Sequence, residues 1–365
     1  MQEIEKRYAD LLVSYCLDLQ AGEKLLVRTT TLAEPLVREV YRLAMRKGAQ
    51  VVLDLKIREA TRIYFEESNE DQLRWISPVH QMAMEEFDAF LVIRAPFNLR
   101  EDQSIDPEKR KIRSEALTPI NQVYSQRTAD KSLKRCLCQY PTQAAAQEAG
   151  MSLEEYQHFV YQACKLHDQD PTSSWINVRK EQARIVAYLN KVKQMHYQGE
   201  RIDVKFSVKG RTWINSDGQT NMPSGEVYSS AIEDSVEGVI HFDYPSIYMG
   251  HAVEGITLWV EKGEVRKWEA AVGQEFLDQI FTIPGARRFG EVAIGTNYNI
   301  KVPTKNILFD EKMGGTIHMA VGQSYLQTGG TNQSPIHWDM IADMWRGGKI
   351  LADGKKIYQD GYFLI

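Results

Sequence analysis

The chain of 365 residues is poor in cysteine, with only Cys16, Cys136, Cys138 and Cys164. A disulfide framework belongs to small secreted domains dense in cysteine, so we expect these four thiols to be reduced and structural. Cys136 and Cys138 lie two apart in a predicted strand and share one face, but no second pair completes a thiolate zinc site. The scarcity of cysteine therefore excludes a disulfide-rich fold and favours a cytoplasmic protein.

Long hydrophobic runs and an excess of basic residues are also missing. No apolar stretch approaches the roughly 18 residues that a membrane-spanning helix needs. Residues 1–7 are charged and amphipathic, which is not typical of a signal peptide. The formal net charge of -5 argues against nucleic acid as an obligate partner, because a phosphate-binding surface normally needs a basic excess. We therefore expect neither a membrane nor a nucleic-acid partner.

A glycine-rich phosphate loop is absent as well. The first predicted strand, at residues 25–27, is followed by the sequence RTTTL at 28–32, which contains no glycine. Without glycine the backbone cannot approach a pyrophosphate closely, and neither a dinucleotide fingerprint nor a P-loop occurs elsewhere in the chain. The three threonines have a simpler explanation as the N-cap of the next helix. The sequence thus argues against a nucleotide site.

Strand and helix patterns alternate along the first half of the chain. Short apolar strands are predicted at residues 25–27, 50–55, 89–93 and 135–139. Helical patterns are predicted at residues 4–19, 32–46, 58–75, 78–87, 106–124, 151–166 and 174–193. This alternation predicts an α/β N-terminal domain with a mostly parallel sheet.

The second half has a different texture. Polar and apolar residues alternate at 201–208, at 349–363, and at 255–261 and 265–271, which Lys262 and Gly263 join as a predicted hairpin. With a short helix predicted near residues 274–281, this half is expected to be an antiparallel β-rich α+β C-terminal domain. We place the two domains at residues 1–190 and 191–365.

Two glutamates of the second half have unusual settings. Glu226 follows Pro-Ser-Gly at residues 223–225, a predicted tight turn that would fix the direction of its carboxylate. Glu291 begins a small apolar strand, where a buried carboxylate needs a cation. That cation is either a metal ion or one of the neighbouring arginines, Arg287 and Arg288. Both glutamates therefore differ from an ordinary solvated side chain.

Two histidines belong to the same pattern. His318 lies in an apolar strand flanked by glycines, where a lone histidine is more often a satisfied core residue. His337 and Asp339 are two apart on a predicted strand, so their imidazole and carboxylate project to the same face. Glu311 precedes His318. Tyr325 follows it in a loop, where either a role at the same centre or simple surface packing explains the tyrosine.

Four carboxylates and two imidazoles, without a thiolate, are the ligand set of a pair of divalent cations. Two dications carry +4 and the four carboxylates supply -4, so the predicted charges balance. We expect zinc, cobalt, manganese or magnesium. The predicted metal ligands are Glu226, Glu291, Glu311, His318, His337 and Asp339, and the predicted catalytic residues are Tyr325 and Glu226. His241 and His251 are weaker candidates that would line a substrate pocket, because neither has a second acid or base at strand spacing.

Four motifs occur in the order and approximate spacing of a known family: NMPSGEV at 221–227, GE at 290–291 with IGTN at 294–297, GTIHMAVG at 315–322, and HWDM at 337–340. The chain resembles the thermophilic metallo-aminopeptidases, the family of aminopeptidase T and aminopeptidase S. The resemblance implies a dinuclear exopeptidase, usually a homodimer, that acts on peptides with a free N-terminus. By position it implies metal ligands at Glu226, Glu291, His318, His337 and Asp339, a further acidic residue at Glu311, and the active-site tyrosine at Tyr325.

The chain also departs from that family at two places. The acidic residue before the first histidine usually lies closer to it than Glu311 lies to His318. The loop between His318 and His337 looks shorter than in many members. The first departure puts the role of Glu311 as a ligand in question, and the second bears on substrate access.

These residues lead us to expect a metal-dependent aminopeptidase in which a metal-bridging hydroxide attacks the first peptide bond. Glu226 or Glu311 would take the proton from the attacking water, and Tyr325 would donate to the oxyanion. Two alternatives stay open. One is a dinuclear metal-dependent amidase that acts on small non-peptide substrates, and the other is a non-catalytic peptide-binding relative.

Overall fold

The computed structural model describes residues 2–365, with all of their side chains except those of Gln2 and Asp102. The chain forms two compact units. The first contains residues 2–172 and 218–222, and the second contains residues 173–217 and 223–365. The predicted border at 190/191 differs from this division, because nearly all of the helix Pro171–Leu189 belongs to the second unit. The assignment of separate functions to residues 1–190 and 191–365 stays a prediction.

The first unit is built around one parallel sheet, and element labels follow chain order through both units. Its helices are α1 (Gln2–Asp10), continued by a π-helical turn (Leu11–Cys16), α2 (Glu34–Arg46), α3 (Ala60–Glu67), α4 (Glu70–Arg74), α5 (Pro78–Glu86), α6 (Pro107–Ala129), α7 (Gln143–Glu148) and α8 (Leu153–Ala163). Short 3-10 turns occupy Thr31–Ala33 and Glu101–Ser104. Its strands are β1 (Lys24–Thr30), β2 (Gln50–Lys56), β3 (Ala89–Arg94), β4 (Lys134–Gln139) and β8 (Asn221–Met222), in the order β2-β1-β3-β4-β8.

The alternation of strands and helices predicted for the first half is confirmed. Strands β1 to β4 cover the four predicted strands and pair in parallel. The single helix predicted at 58–75 is wrong, because Asn69 ends it and caps α4 by accepting a hydrogen bond from the Gln72 amide at 2.9 Å. Thr30 has the expected capping role, since its hydroxyl oxygen accepts a hydrogen bond from the amide of Leu32.

The second unit contains helices α9 (Pro171–Leu189), α10 (Gln274–Ile280) and α11 (Ile307–Asp310), with a 3-10 turn at Leu326–Thr328. An eight-stranded sheet has the order β14-β13-β10-β6-β5-β18-β19-β20. Its strands are β5 (Gln194–Gly199), β6 (Ile202–Ser207), β10 (Glu237–Phe242), β13 (Ile256–Glu261), β14 (Glu264–Glu269), β18 (Lys349–Ala352), β19 (Lys355–Gln359) and β20 (Tyr362–Phe363). Two strands, β11 (Ser246–Tyr248) and β12 (His251–Val253), form a separate hairpin.

A five-stranded sheet of the second unit has the order β17-β16-β15-β9-β7. Its strands are β7 (Ile214–Ser216), β9 (Glu226–Ser229), β15 (Phe289–Gly295), β16 (Thr316–Gly322) and β17 (His337–Asp343). All of its pairings are antiparallel. The antiparallel second half is thus confirmed, including the β13–β14 hairpin, where Lys262 and Gly263 have φ angles of 50° and 72°.

The core of the second unit is shared by its two large sheets. The five-stranded sheet contributes alternate residues of β15, β16 and β17, among them Val292, Ile294, Ile317, Met319 and Met340. Because successive side chains of a strand point to opposite faces, the residues between these core positions project from the other face of the sheet. That second face carries the candidate site. None of the described helices combines the length and apolar character needed to cross a bilayer.

Candidate metal centre

The register of the five-stranded sheet gathers four of the predicted site residues on one face. Residues directly opposite one another in neighbouring strands share a face, as do residues two apart on one strand. Glu291 pairs with Ala320, and Ala320 pairs with Asp339. His318 lies two residues before Ala320, and His337 lies two residues before Asp339. Hydrogen bonding of the strands therefore brings these side chains together.

Glu226 joins the same face through strand β9. It pairs with Gly295, which lies four residues after Glu291 on β15. The positions between the polar side chains of this face hold small residues, namely Ala293, Gly295, Ala320 and Gly322. Because these residues are small, they leave space in which carboxylates and imidazoles can converge.

The chain turns before Glu226 through a short bend at residues 223–225, where the structure shows no hydrogen-bonded tight turn. Gly225 has a φ angle of +112°, and a Cβ at this position would lie 2.8 Å from Cβ of Asn297. The amide of Thr296 donates to the Gly225 carbonyl at 2.8 Å, and the buried hydroxyl of Ser224 lies 2.7 Å from that of Ser216. Only glycine combines this backbone conformation with so close an approach, so the turn sets the direction from which Glu226 enters the site.

A β-bulge precedes Glu291. The register between β15 and β16 shifts between Phe289 and Glu291, and a Cβ on Gly290 would lie 2.2 Å from the carbonyl oxygen of Gln323. Bulges re-aim the side chain that follows them and occur often beside functional sites. The bulge therefore explains why a glycine comes directly before this glutamate.

The partners of Glu291 are histidines. Its two oxygens lie 3.0 Å from Nε2 of His337 and 3.6 Å from Nε2 of His318. The alternative that an arginine pairs with Glu291 is wrong, because Arg287 donates to the Phe281 carbonyl and Arg288 to the Glu233 carbonyl, each at 2.8 Å. Although burial raises the pKa of Glu291, the two imidazoles lower it below its ordinary value.

His337 is oriented by the backbone. Its Nδ1 donates to the carbonyl oxygen of Gln323 at 2.7 Å, and a carbonyl can only accept, so the Nδ1 atom carries the proton. The other nitrogen, Nε2, faces Glu291 at 3.0 Å and Oδ1 of Asp339 at 3.5 Å. This is the arrangement by which proteins aim a histidine at a metal ion.

His318 and Asp339 are embedded more deeply. Nε2 of His318 lies 3.4 Å from Glu226 as well as close to Glu291, and the residue is only 1% exposed. Burial lowers the pKa of His318, but the surrounding carboxylates outweigh burial and raise it to about 9. Asp339 shows the reverse balance, because burial raises its pKa and the imidazole of His337 lowers it to about 2. Each charge in the site therefore stabilises the opposite one.

Lys312 is a member of the site that the sequence patterns did not identify. Its side chain is completely buried, its Nζ lies 3.4 Å from Oε1 of Glu226, and it contacts a carboxylate oxygen of Glu311. The predicted charge balance is therefore wrong by one unit, since four carboxylates and one ammonium sum to -3 rather than -4. Burial is the main reason that the pKa of Glu311 rises to about 7, although Lys312 opposes the change. The one cue in the sequence is the position of the lysine, directly after Glu311.

Tyr325 lies at the edge of the cluster. Its ring centroid is 4.9 Å from that of His337 and 5.5 Å from that of Tyr228. Although 39% of the residue is exposed, crowding around its hydroxyl raises the pKa of Tyr325, as do the carboxylates of Glu291 and Asp339. The phenol therefore stays protonated at neutral pH and can donate a hydrogen bond.

Gln182 of helix α9 supports the site from behind. Its side-chain amide donates to the backbone carbonyls of Ser216 and Glu226 at 2.9 and 3.1 Å, and its oxygen accepts from the Thr296 hydroxyl at 2.8 Å. These contacts tie strands β7, β9 and the end of β15 to one helix. Sequence patterns miss this role because a buried glutamine looks like any polar residue of an amphipathic helix.

The two weaker histidine candidates have other contacts. Nδ1 of His241 lies 2.8 Å from the Thr257 hydroxyl, and the ring of His251 stacks on Phe276 with centroids 4.2 Å apart. Neither occurs in the groups of potential ligands formed by the described residues. Their expected place in a substrate pocket stays a prediction.

The donor set fits divalent cations. Three groups of residues can each bring their donor atoms within 4.8 Å of one another. The groups are Glu226, Glu291 and His318; Glu291, His337 and Asp339; and Glu311, His318 and Asp339. Oε2 of Glu226 and Oδ1 of Asp339 are buried there without a hydrogen-bond partner within residues 2–365. Burial of such an oxygen is costly unless a cation or a donor meets it, so a metal ion would satisfy both atoms.

Comparison with known proteins gives a consistent result. The family model described as thermophilic metalloprotease (M29) matches residues 1–363. Aminopeptidase 2 of Geobacillus stearothermophilus is 28% identical, over 99% of this chain and 97% of that protein. Aminopeptidase AmpS of Bacillus subtilis is 26% identical over 97% of both. The structure of wild-type AmpT from Thermus thermophilus has the same fold, with a TM-score of 0.84 at 22% identity over 100% of this chain and 99% of that one.

Proposed function

Because the chain belongs to the thermophilic metalloprotease family, we propose that it is a metal-dependent aminopeptidase that releases N-terminal amino acids from peptides. One observation carries the proposal. A single face of a β-sheet gathers carboxylates and imidazoles from β9, β15, β16 and β17, and two of its buried carboxylate oxygens make no hydrogen bond within the described chain. The relatives from Geobacillus stearothermophilus and Bacillus subtilis are aminopeptidases, which supports the same activity.

Two divalent ions are part of the proposal. The potential ligands form overlapping groups of three, which is more than one ion can use. Carboxylate oxygen and imidazole nitrogen together suit zinc, cobalt or manganese, and magnesium is a further candidate. The ligands would be Glu226, Glu291, Glu311, His318, His337 and Asp339. Bound ions of this kind supply a Lewis acid for the scissile carbonyl and lower the pKa of a bound water.

The protein's own side chains would hold the site in position and accept a proton from the attacking water. His337 and Asp339 hold fixed positions beside Glu291 because His337 is anchored to the Gln323 carbonyl. Glu226 is a suitable proton acceptor, since its Oε2 atom makes no hydrogen bond within the described residues, although Nε2 of His318 lies 3.4 Å away. Glu311 is the second candidate for this proton.

Tyr325 and the carboxylates of the site would determine how a peptide substrate binds and reacts. The protonated phenol of Tyr325 lies beside His337, where it can donate to the oxygen that becomes negative in the tetrahedral intermediate. The positively charged α-amino group of a peptide would bind beside a carboxylate of this site. This electrostatic match explains why we propose an exopeptidase, because an internal peptide bond has no such charge nearby.

The experiment is a comparison of blocked and unblocked substrates. We expect the purified protein to cleave aminoacyl-nitroanilides and dipeptides, to fail on their N-acetylated forms, to lose activity with a strong chelator and to regain it with cobalt or zinc. Equal cleavage of acetylated substrates would favour the amidase alternative. Metal binding without any turnover would favour a non-catalytic peptide-binding protein.

Two further proposals concern assembly and location. The family resemblance leads us to propose a homodimer, which light scattering of the purified protein would test directly. We also propose a cytoplasmic location, which the lack of a disulfide among the four cysteines supports because reducing compartments keep thiols reduced.

A further inference from the structure

Lys312 is the most unusual residue of the site. A lysine that is completely buried is rare unless its ammonium group is paired. Here the ammonium group lies between Glu226 and Glu311. The backbone holds it there, because its amide donates to the Phe309 carbonyl and its carbonyl accepts from the Asn297 amide, at 3.0 and 2.9 Å. Lys312 is therefore a built-in part of the cluster and not a surface side chain folded inwards.

The three ligand groups overlap in a way that limits how two ions can bind. The group of Glu226, Glu291 and His318 and the group of Glu311, His318 and Asp339 share the histidine. The His318 atom that faces the carboxylates is Nε2, which lies 3.4 Å from Glu226 and 3.6 Å from Glu291. One ring nitrogen binds a single ion, so this atom cannot complete both groups at once. A carboxylate, by contrast, has two oxygens and can bridge two ions.

The remaining group must therefore be occupied in every two-ion arrangement. The group of Glu291, His337 and Asp339 shares only a carboxylate with each of the other two groups. The shared residue is Glu291 for the group that contains Glu226 and Asp339 for the group that contains Glu311. Two ions can thus use this group together with one of the two that contain His318. We call the group of Glu291, His337 and Asp339 the first position, and the alternative built on His318 the second position.

Lys312 acts on the two positions unequally. Both versions of the second position include a carboxylate that contacts the ammonium group, either Glu226 or Glu311. The carboxylates of the first position, Glu291 and Asp339, face His337 instead. An ammonium group competes with a metal ion for carboxylate oxygens and repels it, and in a buried site this repulsion is weakly screened.

We propose that Lys312 makes the two metal positions unequal, so that the first position binds its ion tightly and the second binds its ion weakly and exchanges it readily. This inference rests on the proposed dinuclear function. Lys312 is a positioning residue in this role, because it acts on Glu226 and Glu311 and not on the substrate.

The test measures metal binding and does not depend on activity. The full-length protein, freed of metal by chelation and dialysis, is titrated with cobalt and followed by calorimetry and by the absorption of bound cobalt. We expect two classes of site in the parent protein. In Lys312→Met the weak class should tighten by about tenfold or more, because the repulsion by the buried ammonium group is removed, and the tight class should stay the same.

Matched variants separate charge from packing. Lys312→Arg keeps the positive charge and should keep the two classes unequal. Lys301→Met removes an exposed lysine eleven residues earlier in the chain (312 − 301 = 11) and should change neither class. If Lys312→Met does not fold, two ligand variants test the same order of binding. His318→Ala should lose the weak class and keep one tight ion, whereas His337→Ala should lose the tight class.

The outcomes are distinguishable. Two ions of equal affinity in the parent protein would overturn the inference and leave the proposed dinuclear function intact. The inference would also be overturned if Lys312→Met weakened the second ion or left both unchanged, or if His318→Ala abolished the tight class. If the parent protein bound no divalent ion at all, the proposed function would fail and the inference with it.

Discussion

Each of the two units buries titratable side chains that come from distant parts of the chain. Those of the first unit are neutral, whereas those of the second unit carry charge. In the first unit all four cysteines are buried and none forms a disulfide, and the thiol of Cys164 donates to the Tyr8 hydroxyl at 3.6 Å. Burial raises the pKa values of Cys16, Cys138 and Cys164, so these thiols stay neutral. In the second unit the buried acids of the metal centre face imidazoles and an ammonium group.

The comparison shows two ways in which a fold can bury titratable groups. Thiols tolerate burial by keeping their protons, and a neutral thiol is neither a nucleophile nor a metal ligand. The buried carboxylates of Glu291 and Asp339 keep their charge because imidazoles lower their pKa values. Carboxylate oxygens that make no hydrogen bond can take a metal ion. We therefore expect changes in the second unit to affect metal binding and activity, and changes in the thiol cluster to affect stability alone.

The largest expected effect comes from Glu291→Gln. Glutamine keeps the size of the side chain but loses the charge that faces both histidines and that both ions would share. We expect activity to fall by about a thousandfold or more, since a metal ion contributes several kcal/mol to such a reaction. Steady-state kinetics and metal analysis measure both losses. Glu261→Gln, at an exposed position of β13, is the matched control, and parental activity in Glu291→Gln would remove this residue from the centre.

Tyr325→Phe should have the next largest effect. The substitution removes one hydroxyl beside His337 and leaves the aromatic packing against Tyr228 in place. Loss of one donor to an oxyanion lowers kcat by about 100- to 1,000-fold in other enzymes, so we expect a fall near the lower figure. Because the ring is not a proposed ligand, metal content should not change. A fall in metal content together with kcat would mean that Tyr325 holds the site together and does not stabilise the oxyanion.

Gln182→Leu should weaken the site more modestly. Leucine cannot donate to the Ser216 and Glu226 carbonyls, and buried acceptors left without a donor cost about 1–3 kcal/mol. We expect lower stability and about a tenfold loss of metal affinity, because the Glu226 backbone loses its support. Thermal unfolding and metal titration check the two effects. Unchanged metal affinity would show that the strand pairing alone positions Glu226.

Cys138→Ala should have the smallest effect. The residue is completely buried in the first unit, and loss of its sulfur should lower the free energy of unfolding by about 1 kcal/mol. Activity and metal content should stay at parental values. Thiol reagents should react with the native protein only as fast as it unfolds. The absorbance of the product that the reagent releases would follow this reaction. A fall in metal content or activity in folded Cys138→Ala would break the contrast between the two units.

Much of the fold follows from local patterns. Strands β1 to β4 and the hairpin at Lys262 and Gly263 were predictable because apolar runs and turn residues mark them directly. The helix predicted at 58–75 failed because Asn69 favours capping a new helix over continuing the old one. Strand β10 was not predicted either, since its Gly238 weakens the pattern, and a Cβ there would lie 2.0 Å from the Asp203 carbonyl oxygen.

The candidate site was predictable to the extent that strand spacing governs it. His337 and Asp339 are two apart on β17 and lie on the predicted common face. Gly225 and Gly290 each precede a glutamate of the site and lie where a Cβ would come too close to neighbouring atoms. The predicted residues converge, although their roles as metal ligands stay predictions. Lys312 was missed because its burial depends on how the segment after α11 packs, and no local pattern of the sequence contains that information.

The most direct test of the metal centre is an anomalous-scattering map of crystals grown with cobalt or zinc. We predict two peaks on the face of the five-stranded sheet, the first touching Glu291, His337 and Asp339 and the second touching His318. Peaks elsewhere in the chain, or a fully loaded protein with no peak on this face, would contradict the central claim that the register of β9, β15, β16 and β17 builds a dinuclear metal site.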